Sequence, residues 1–128
     1  MKNEEALIQE AVINYLVAQY PKALYCASAG GVRTSMKQAV KMKKTGYVKG
    51  FPDIFIYEPR KEWHGLAIEM KTAKGVISQS QKEWRKNLDQ RNYMAFVCRS
   101  FDEAKIVIDE YLALWVWQVL FRVAQGGA

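Results

Sequence analysis

The sequence predicts an α/β fold, because helical and strand patterns alternate along one short chain. The patterns follow the order α, β, short α, β, β, α, β, α, without internal repeats or low-complexity segments. The 128 residues can bury one hydrophobic core but hardly two. A content of 50% hydrophobic and 25% charged residues is typical of globular proteins. We therefore expect a single domain over residues 1–128.

Two kinds of pattern define the predicted elements. Apolar residues spaced three and four apart indicate helices, and serines with capping-box spacing at Ser35, Ser78 and Ser100 mark three helix starts. Short apolar and β-branched runs indicate strands, of which the second and third should pair as an antiparallel hairpin and the last should be buried. The predicted helices cover about residues 4–20, 36–45, 79–90 and 101–124, and the predicted strands cover about residues 23–28, 52–57, 66–72 and 93–99.

Charge and composition restrict the classes of partner. The 19 basic residues exceed the 13 acidic ones, which gives a net charge of +6 and favours an anionic partner such as nucleic acid. Cys26 and Cys98 lack the spacing of a zinc site or a disulfide framework. No signal peptide is apparent, and the apolar stretch 111–124 is too short to span a bilayer. These features predict a cytoplasmic protein with no membrane partner, and the compact, stand-alone architecture suggests a bacterial or viral origin.

Two opposite charges share one face of the third predicted strand. The period of two places Leu66, Ile68 and Met70 on one face, and Glu69 and Lys71 on the other. Such charges are costly in a central strand unless they pair with each other or with a ligand. A structural Glu69–Lys71 pair and a functional site both remain open on this evidence alone.

The turn Gly50-Phe-Pro-Asp53 favours the functional alternative. Asp53 begins the partner strand, 16 residues before Glu69, so a hairpin would bring the two carboxylates together. A hard divalent cation with oxygen ligands is the usual way to keep both ionised. We expect Mg²⁺ to bind Asp53, Glu69 and the backbone carbonyl of Met70. Lys71 would lie beside the metal, either as the base for the attacking water or as a charged stabiliser of the phosphate.

The ordered motifs resemble those of the VRR-NUC branch of the PD-(D/E)xK nucleases. They span about residues 5–99. The resemblance implies a restriction-endonuclease-like core with a mixed four-stranded sheet flanked by helices. It also implies dependence on Mg²⁺ or Mn²⁺ and hydrolysis of phosphodiester bonds in DNA. The matching segments are Glu5-Ala-Leu-Ile-Gln9, Gly31-Val-Arg-Thr34, Gly50-Phe-Pro-Asp53, Glu69-Met-Lys71 and Gln81-Lys-Glu-Trp84.

The resemblance also implies roles for two further residues. Gln81 would lie near the metal from the start of its helix, although its side chain also suits the capping box that begins at Ser78. The early glutamate of the family pattern matches Glu5, with Glu4 as the alternative. Glu10 is not expected to take this role, because it lies on the opposite helix face from the apolar stripe.

A basic segment leads into the proposed catalytic turn. No acidic residue lies between Glu10 and Asp53, which favours contacts with the nucleic-acid backbone. Such contacts predict salt-sensitive binding that follows DNA structure, as in branched or junction DNA, rather than sequence. A non-catalytic DNA-binding subunit is the alternative. The predicted nucleic-acid-binding residues are Arg33, Lys37, Lys41, Lys43, Lys44, Lys49, Lys82 and Arg85, with Lys86 as a possible extension.

The C-terminal apolar segment predicts an oligomer. Residues 111–121 are apolar nearly all round, which is more than a helix on the surface of a small domain needs. We expect a homodimer built partly on this segment, whose two centres would suit two strands of a junction. Of the four tryptophans, we expect all but Trp63 to belong to the core.

Overall fold

The computed structural model describes residues 3–28 and 35–114 and confirms the predicted α/β class. The described elements alternate in the predicted order, and their ends differ from the predicted ones by few residues, except that α4 ends at Leu112 although it was predicted to continue to about residue 124. The helices are α1 (Glu4–Gln19), α2 (Met36–Lys44), α3 (Gln79–Asp89) and α4 (Phe101–Leu112), and the strands are β1 (Tyr25–Ala27), β2 (Ile54–Ile56), β3 (Leu66–Met70) and β4 (Met94–Cys98).

The four described strands form one mixed sheet in the order β1-β2-β3-β4. β2 pairs with β1 and with β3 in antiparallel fashion, so the predicted hairpin is confirmed. β3 and β4 are parallel, because α3 carries the chain back across the sheet between them. Glu69 pairs with Val97 and Met70 with Cys98, which fixes where β3 ends relative to β4.

The two faces of β3 pack against different layers, as its alternation predicts. Leu66, Ile68 and Met70 are fully buried in the main core, with Val12 and Leu16 of α1 and with residues of α4. Ala67 faces a smaller cluster with Phe55 and with Leu88 of α3. Glu69 therefore points to the α3 side, and it is 8% exposed. A carboxylate so far removed from water needs partners.

Three predictions about local structure were wrong. β4 is an edge strand, so its Phe96 is 41% exposed and only Cys98 is fully buried. At Ser100 the capping box is incomplete, because the carboxylate of Glu103 accepts from the amide of Arg99 instead of Ser100. Trp63 packs against the main core, since the 58–65 turn folds back over it.

Two further features bear on the class of the chain. Cys26 and Cys98 are both free cysteines. Within residues 3–28 and 35–114, none of the helices combines the length and hydropathy that a bilayer-spanning segment needs. The predicted dimer segment lies outside the described residues from position 115 onward, and Arg33 lies outside them too.

Candidate active site

Asp53 and Met70 meet where β2 begins and β3 ends. The amide of Met70 donates to Oδ2 of Asp53 at 2.7 Å. In a strand, the amide and carbonyl of one residue project to the same side, so the carbonyl of Met70 also faces the β2 side. The antiparallel register of β2 and β3 produces this meeting, because one residue beyond the Ile54–Ile68 pair it places Asp53 opposite Glu69 and therefore beside Met70.

Glu69 and Gln81 meet across the gap between β3 and α3. Gln81 Nε2 donates to Glu69 Oε1 at 2.8 Å. The same side chain completes the capping box of α3, because its Oε1 accepts from the Ser78 amide at 2.9 Å. Capping and contact with the carboxylate are therefore compatible, since each uses a different end of one amide group. The cap holds the amide rigidly, which fixes the direction of its N–H bonds toward Glu69.

The carboxyl of Glu69 is strongly perturbed. Burial, together with the charge of Asp53 and a hydrogen bond to it, raises the pKa of Glu69 to about 9. The charge of Lys71 opposes this shift, and the more distant Glu5 adds to it. Without a cation, the adjacent Asp53 and Glu69 therefore hold a proton at neutral pH. The centre has the electrostatics of a cation site.

Glu5 reaches the same centre from α1. Burial raises its pKa, as does the charge of Asp53, while Lys71 lowers it. Glu5 is half-buried, whereas Glu4 is exposed, so the structure favours Glu5 of the two candidates. Both Glu5 and Asp53 line a cleft of about 390 Å³ between α1 and the start of β2.

The cleft also contains residues that the sequence did not single out. Glu10 lines it, although its position opposite the apolar stripe had predicted that it would face away. The stripe packs on the sheet, and the cleft lies at the side of α1, where both Glu5 and Glu10 reach it. Gln9 and Asn14 supply neutral polar groups to the same wall, and Ser28 faces them from the end of β1. The spacing of four between Glu5 and Gln9 was the signal that could have identified Gln9.

Lys71 follows β3 directly, beside the carboxylates. Its amide donates to the Cys98 carbonyl at 3.0 Å, which continues the β3–β4 ladder by one residue. Its side chain is half-buried. Its charge acts on both Glu5 and Glu69, but the direct partner of Glu69 is Gln81 rather than Lys71. The ammonium is therefore not committed to a tight pair with Glu69.

The donor set suits a hard divalent cation. Asp53 Oδ2 and Glu69 Oε1 each accept one hydrogen bond, so the second oxygen of each carboxylate can serve as a ligand together with the Met70 carbonyl. In the part of the chain that the structure describes, no three His, Cys, Asp or Glu side chains are close enough to form a complete metal cage. Two carboxylates suffice for Mg²⁺, which keeps several waters. Burial raises the pKa of the nearby Cys98 thiol to about 11, which disfavours a thiolate ligand.

Gly50 joins the two halves of the centre, a role that its motif alone did not reveal. Its φ of +93° is a conformation that favours glycine. A Cβ at this position would lie 2.6 Å from the backbone of Ser80 and 2.9 Å from the amide of Gln81. The turn before Asp53 therefore packs backbone to backbone on the first turn of α3.

Alanine at Gly50 should be far more damaging than alanine at Gly46. Gly46 also has a positive φ, of 112°, but a Cβ there would contact nothing within 4 Å. We expect Gly46→Ala to cost about 1–2 kcal/mol of backbone strain, and Gly50→Ala to cost about 1–3 kcal/mol more because of the clash. Denaturant unfolding of both variants measures the difference. Equal destabilisation would contradict the close packing of Gly50 on α3.

The predicted nucleic-acid-binding residues are exposed wherever the structure describes them. Lys37, Lys41, Lys43 and Lys44 project from α2, a helix in which no residue is buried. Lys82 and Arg85 lie on α3, and the carbonyl of Lys49 accepts from Trp84 Nε1 of that helix at 3.1 Å. This bond holds the end of the basic segment against α3, whose first turn carries Gln81.

Comparisons with known proteins show similarity in both sequence and fold. The family model of the VRR-NUC domain matches residues 4–102. A solved structure titled "VRR_NUC domain protein" is similar, with a TM-score of 0.77 and 28% sequence identity. The similarity covers 91% of this chain and 93% of that one. A search of curated protein sequences gave no match.

Proposed function

Because the chain belongs to the VRR-NUC family of nuclease domains, we propose that it is a Mg²⁺- or Mn²⁺-dependent DNA endonuclease. We assign its active centre to Asp53, Glu69 and Lys71, with Gln81 and Glu5 as supporting groups. The observation that carries the proposal is the meeting of two held carboxylates: the Met70 amide binds Asp53, Gln81 binds Glu69, and the pKa of Glu69 is raised. A cation that neutralises this pair gives a reason for a carboxylate that is only 8% exposed.

The residues of the centre divide the work of phosphodiester hydrolysis. Asp53, Glu69 and the Met70 carbonyl would hold the cation, and Gln81 keeps the carboxylate of Glu69 in one orientation. When bound, the cation supplies Lewis acidity to the scissile phosphate and to the attacking water. Lys71, which forms no salt bridge within residues 3–28 and 35–114, either takes a proton from that water or offsets charge on the phosphate. Glu5 borders the cleft through which the water would reach the phosphate.

The exposed cations supply an approach for the DNA. α2 ends five residues before Lys49, and Lys49 lies one residue before the turn that leads to Asp53. Phosphates that contact this basic segment therefore reach the catalytic turn. Contacts of this kind carry no base information, so we propose selection by DNA structure, with branched or junction DNA as the preferred class.

Two alternatives predict different side-chain behaviour. A non-catalytic DNA-binding subunit would need the basic surface but no pair of adjacent carboxylates. The Asp53–Glu69 pair is unfavourable for folding unless a cation binds to it. A structural Glu69–Lys71 pair would make Lys71 the direct partner of Glu69. Gln81 takes that place instead. Both observations favour the nuclease.

One assay tests the function. The purified protein is incubated with labelled duplex, single-stranded, flap and four-way-junction DNA, in Mg²⁺, in Mn²⁺ or in EDTA. We expect cleavage with either metal, none in EDTA, and the highest rate on branched DNA. Cleavage that persists in EDTA would overturn the metal dependence. Binding without cleavage under all metal conditions would support the non-catalytic alternative.

DNA binding should weaken steeply with salt. If the seven described basic residues of the surface engage about five to seven phosphates, affinity should fall by about 10²–10⁴-fold between 50 and 200 mM salt. The affinity is measured by fluorescence anisotropy in Ca²⁺, which binds oxygen ligands, with the Lys37→Ala/Lys41→Ala variant beside the wild type. A wild-type affinity that does not respond to salt would contradict the proposed surface. If the variant shows the same dependence of affinity on salt as the wild type, α2 does not belong to the DNA-binding surface.

Metal-free stability should depend on pH through Glu69. The folded-state pKa of about 9 exceeds the ordinary value of 4.5, so this group contributes full stability below about pH 4.5 and loses it as pH rises toward 9. In EDTA we expect the unfolding free energy to fall by several kilocalories per mole between pH 5 and 8.5, and Mg²⁺ to restore much of it. Glu69→Gln should flatten the profile. A wild-type profile as flat as that of the variant would contradict the perturbed pair.

The homodimer remains a prediction. Its proposed interface lies mainly outside the described residues, so it depends on the apolar sequence of residues 111–124. Light scattering of the purified chain measures the mass directly. A monomer would remove the idea that two centres act together on a junction.

A further inference from the structure

The loop Thr72–Gly75 directly follows Lys71 and is held by a single side chain. Nη1 of Arg99 donates to the Gly75 carbonyl at 2.8 Å and to the Thr72 carbonyl at 2.9 Å. A longer contact of 3.4 Å reaches the carbonyl of Ala73. One guanidinium thus gathers three carbonyls of a four-residue loop.

The loop folds back on the side chain of Lys71. The amide of Gly75 donates to the Thr72 carbonyl at 3.1 Å, which closes a tight turn. A Cβ at Gly75 would lie 3.3 Å from Cδ of Lys71, closer than ordinary van der Waals contact. The glycine therefore lets the loop backbone lie directly against the aliphatic stem of the lysine.

The flexible side chain of Lys71 needs a packing partner that restrains it. A lysine side chain has four rotatable bonds and loses much of its rotamer entropy when it is held in one conformation. Gln81, rather than Lys71, makes the direct hydrogen bond to Glu69. The Lys71 side chain is therefore not held in place by a bond to that carboxylate. Packing of the stem against the Thr72–Gly75 loop is the restraint that the structure shows.

We infer that Arg99 is a positioning residue for Lys71, acting through the Thr72–Gly75 loop. This inference rests on the proposed nuclease function, in which Lys71 is catalytic. Arg99 does not touch the carboxylates. It lies at the end of β4, next to Cys98, whose carbonyl accepts from the Lys71 amide. The lysine is thus fixed at its backbone by β4 and along its stem by the loop that Arg99 holds.

Arginine suits this task better than lysine. A charged donor makes a stronger hydrogen bond to a carbonyl than a neutral one does, and the planar guanidinium is preorganised. The amide of Arg99 is itself fixed, because it donates to Glu103 Oε2 at 2.6 Å at the start of α4. The backbone of Arg99, whose side chain binds the loop, is therefore fixed by a residue of α4.

Arg99→Met tests the inference, because it keeps the aliphatic stem and removes the donors. Arg91→Met is the matched control, since Arg91 lies just after α3 and its side chain donates to Asn87 of that helix. The first readout is the rate at which an amine-acylating reagent labels Lys71, followed by mass spectrometry with the exposed Lys86 as internal reference. The second is single-turnover cleavage, with KM and the Mg²⁺ concentration for half activity.

We expect Arg99→Met to speed the labelling of Lys71 several-fold, relative to Lys86. Turnover should fall about 10–100-fold, as a misplaced catalytic group does, while KM and the Mg²⁺ requirement stay unchanged. Labelling and turnover equal to those of the wild type would overturn the inference. A parallel rise in KM and in the Mg²⁺ requirement would also overturn it, because that pattern indicates general loosening of the centre.

A second variant covers the case in which Arg99→Met does not fold. Gly75→Ala leaves the guanidinium in place and presses a methyl group on the Lys71 stem. It should reduce turnover and change Lys71 labelling, and unchanged values for both would overturn the inference. If the wild type does not cleave DNA, the proposed function fails. The labelling of Lys71 then still decides whether Arg99 restrains this side chain.

Discussion

Replacement of Asp53 by asparagine is expected to lower DNA cleavage by about 10³-fold or more in saturating Mg²⁺. Asparagine keeps the size of the side chain and an oxygen that can accept from the Met70 amide, now at 2.7 Å. It removes the charge that a cation needs at this position. Structural loss should therefore be small and functional loss large.

The same substitution should make the metal-free protein less sensitive to rising pH. The charge of Asp53 is, after burial, the largest cause of the raised pKa of Glu69, so its removal lowers this pKa and reduces the stability that is lost as the pH rises. Cleavage and metal-free unfolding are measured together, with Asp89→Asn as a control at the exposed end of α3. An Asp53→Asn protein that cleaves at nearly the wild-type rate would remove this residue from the centre. One that loses folding along with cleavage would make its role structural.

Replacement of Lys71 by methionine is expected to lower cleavage by about 10²–10⁴-fold, the usual range for a proton-transfer group. Methionine keeps an unbranched apolar stem against the Thr72–Gly75 loop and removes the ammonium. Stability should change little, because Gln81 remains as the partner of Glu69. Lys74→Met, in the adjacent loop and exposed, is the matched control.

Two further results would separate the possible roles of Lys71. A loss of about 3–5 kcal/mol in stability on Lys71→Met would indicate a buried structural pair instead of a catalytic group. Lys71→Arg keeps the charge but does not act as a base, since arginine stays protonated. Substantial activity in Lys71→Arg would identify the residue as a charged stabiliser, and inactivity comparable to Lys71→Met would favour the base.

The strand that carries Glu69 and leads to Lys71 was predictable, because apolar residues alternate strictly with positions that include two charged side chains. Leu66, Ile68 and Met70 could face only the core, so the charged residues had to face the other layer. The hairpin followed from the polar turn between the two strands. The exposure of β4 at the edge of the sheet was not predictable from its apolar sequence, because edge and central strands differ only in their neighbours.

The wall of the cleft was harder to predict than its centre. Periodicity identifies which side of α1 faces the sheet, but the cleft lies at the side of that stripe, where Glu10 and Glu5 both reach it. Gly50 and Arg99 carry no local signal for their contacts. Gly50 packs against the backbone at the start of α3, and Arg99 binds a carbonyl of the loop after β3. Both partners lie far away in the sequence. Such contacts depend on tertiary packing.

The parallel pairing of β3 and β4 has a consequence for folding. The β2–β3 hairpin is local and brings Asp53 to Met70 early, but Gln81 and the anchor of Lys71 arrive only when α3 has crossed over and β4 has paired. Parallel pairing across a helix must overcome a larger loop-closure entropy than a hairpin does. The proposed catalytic set is thus completed late in folding. A newly synthesised or damaged chain that has not paired β4 would lack this set, so it could not cut DNA even with the β2–β3 hairpin formed.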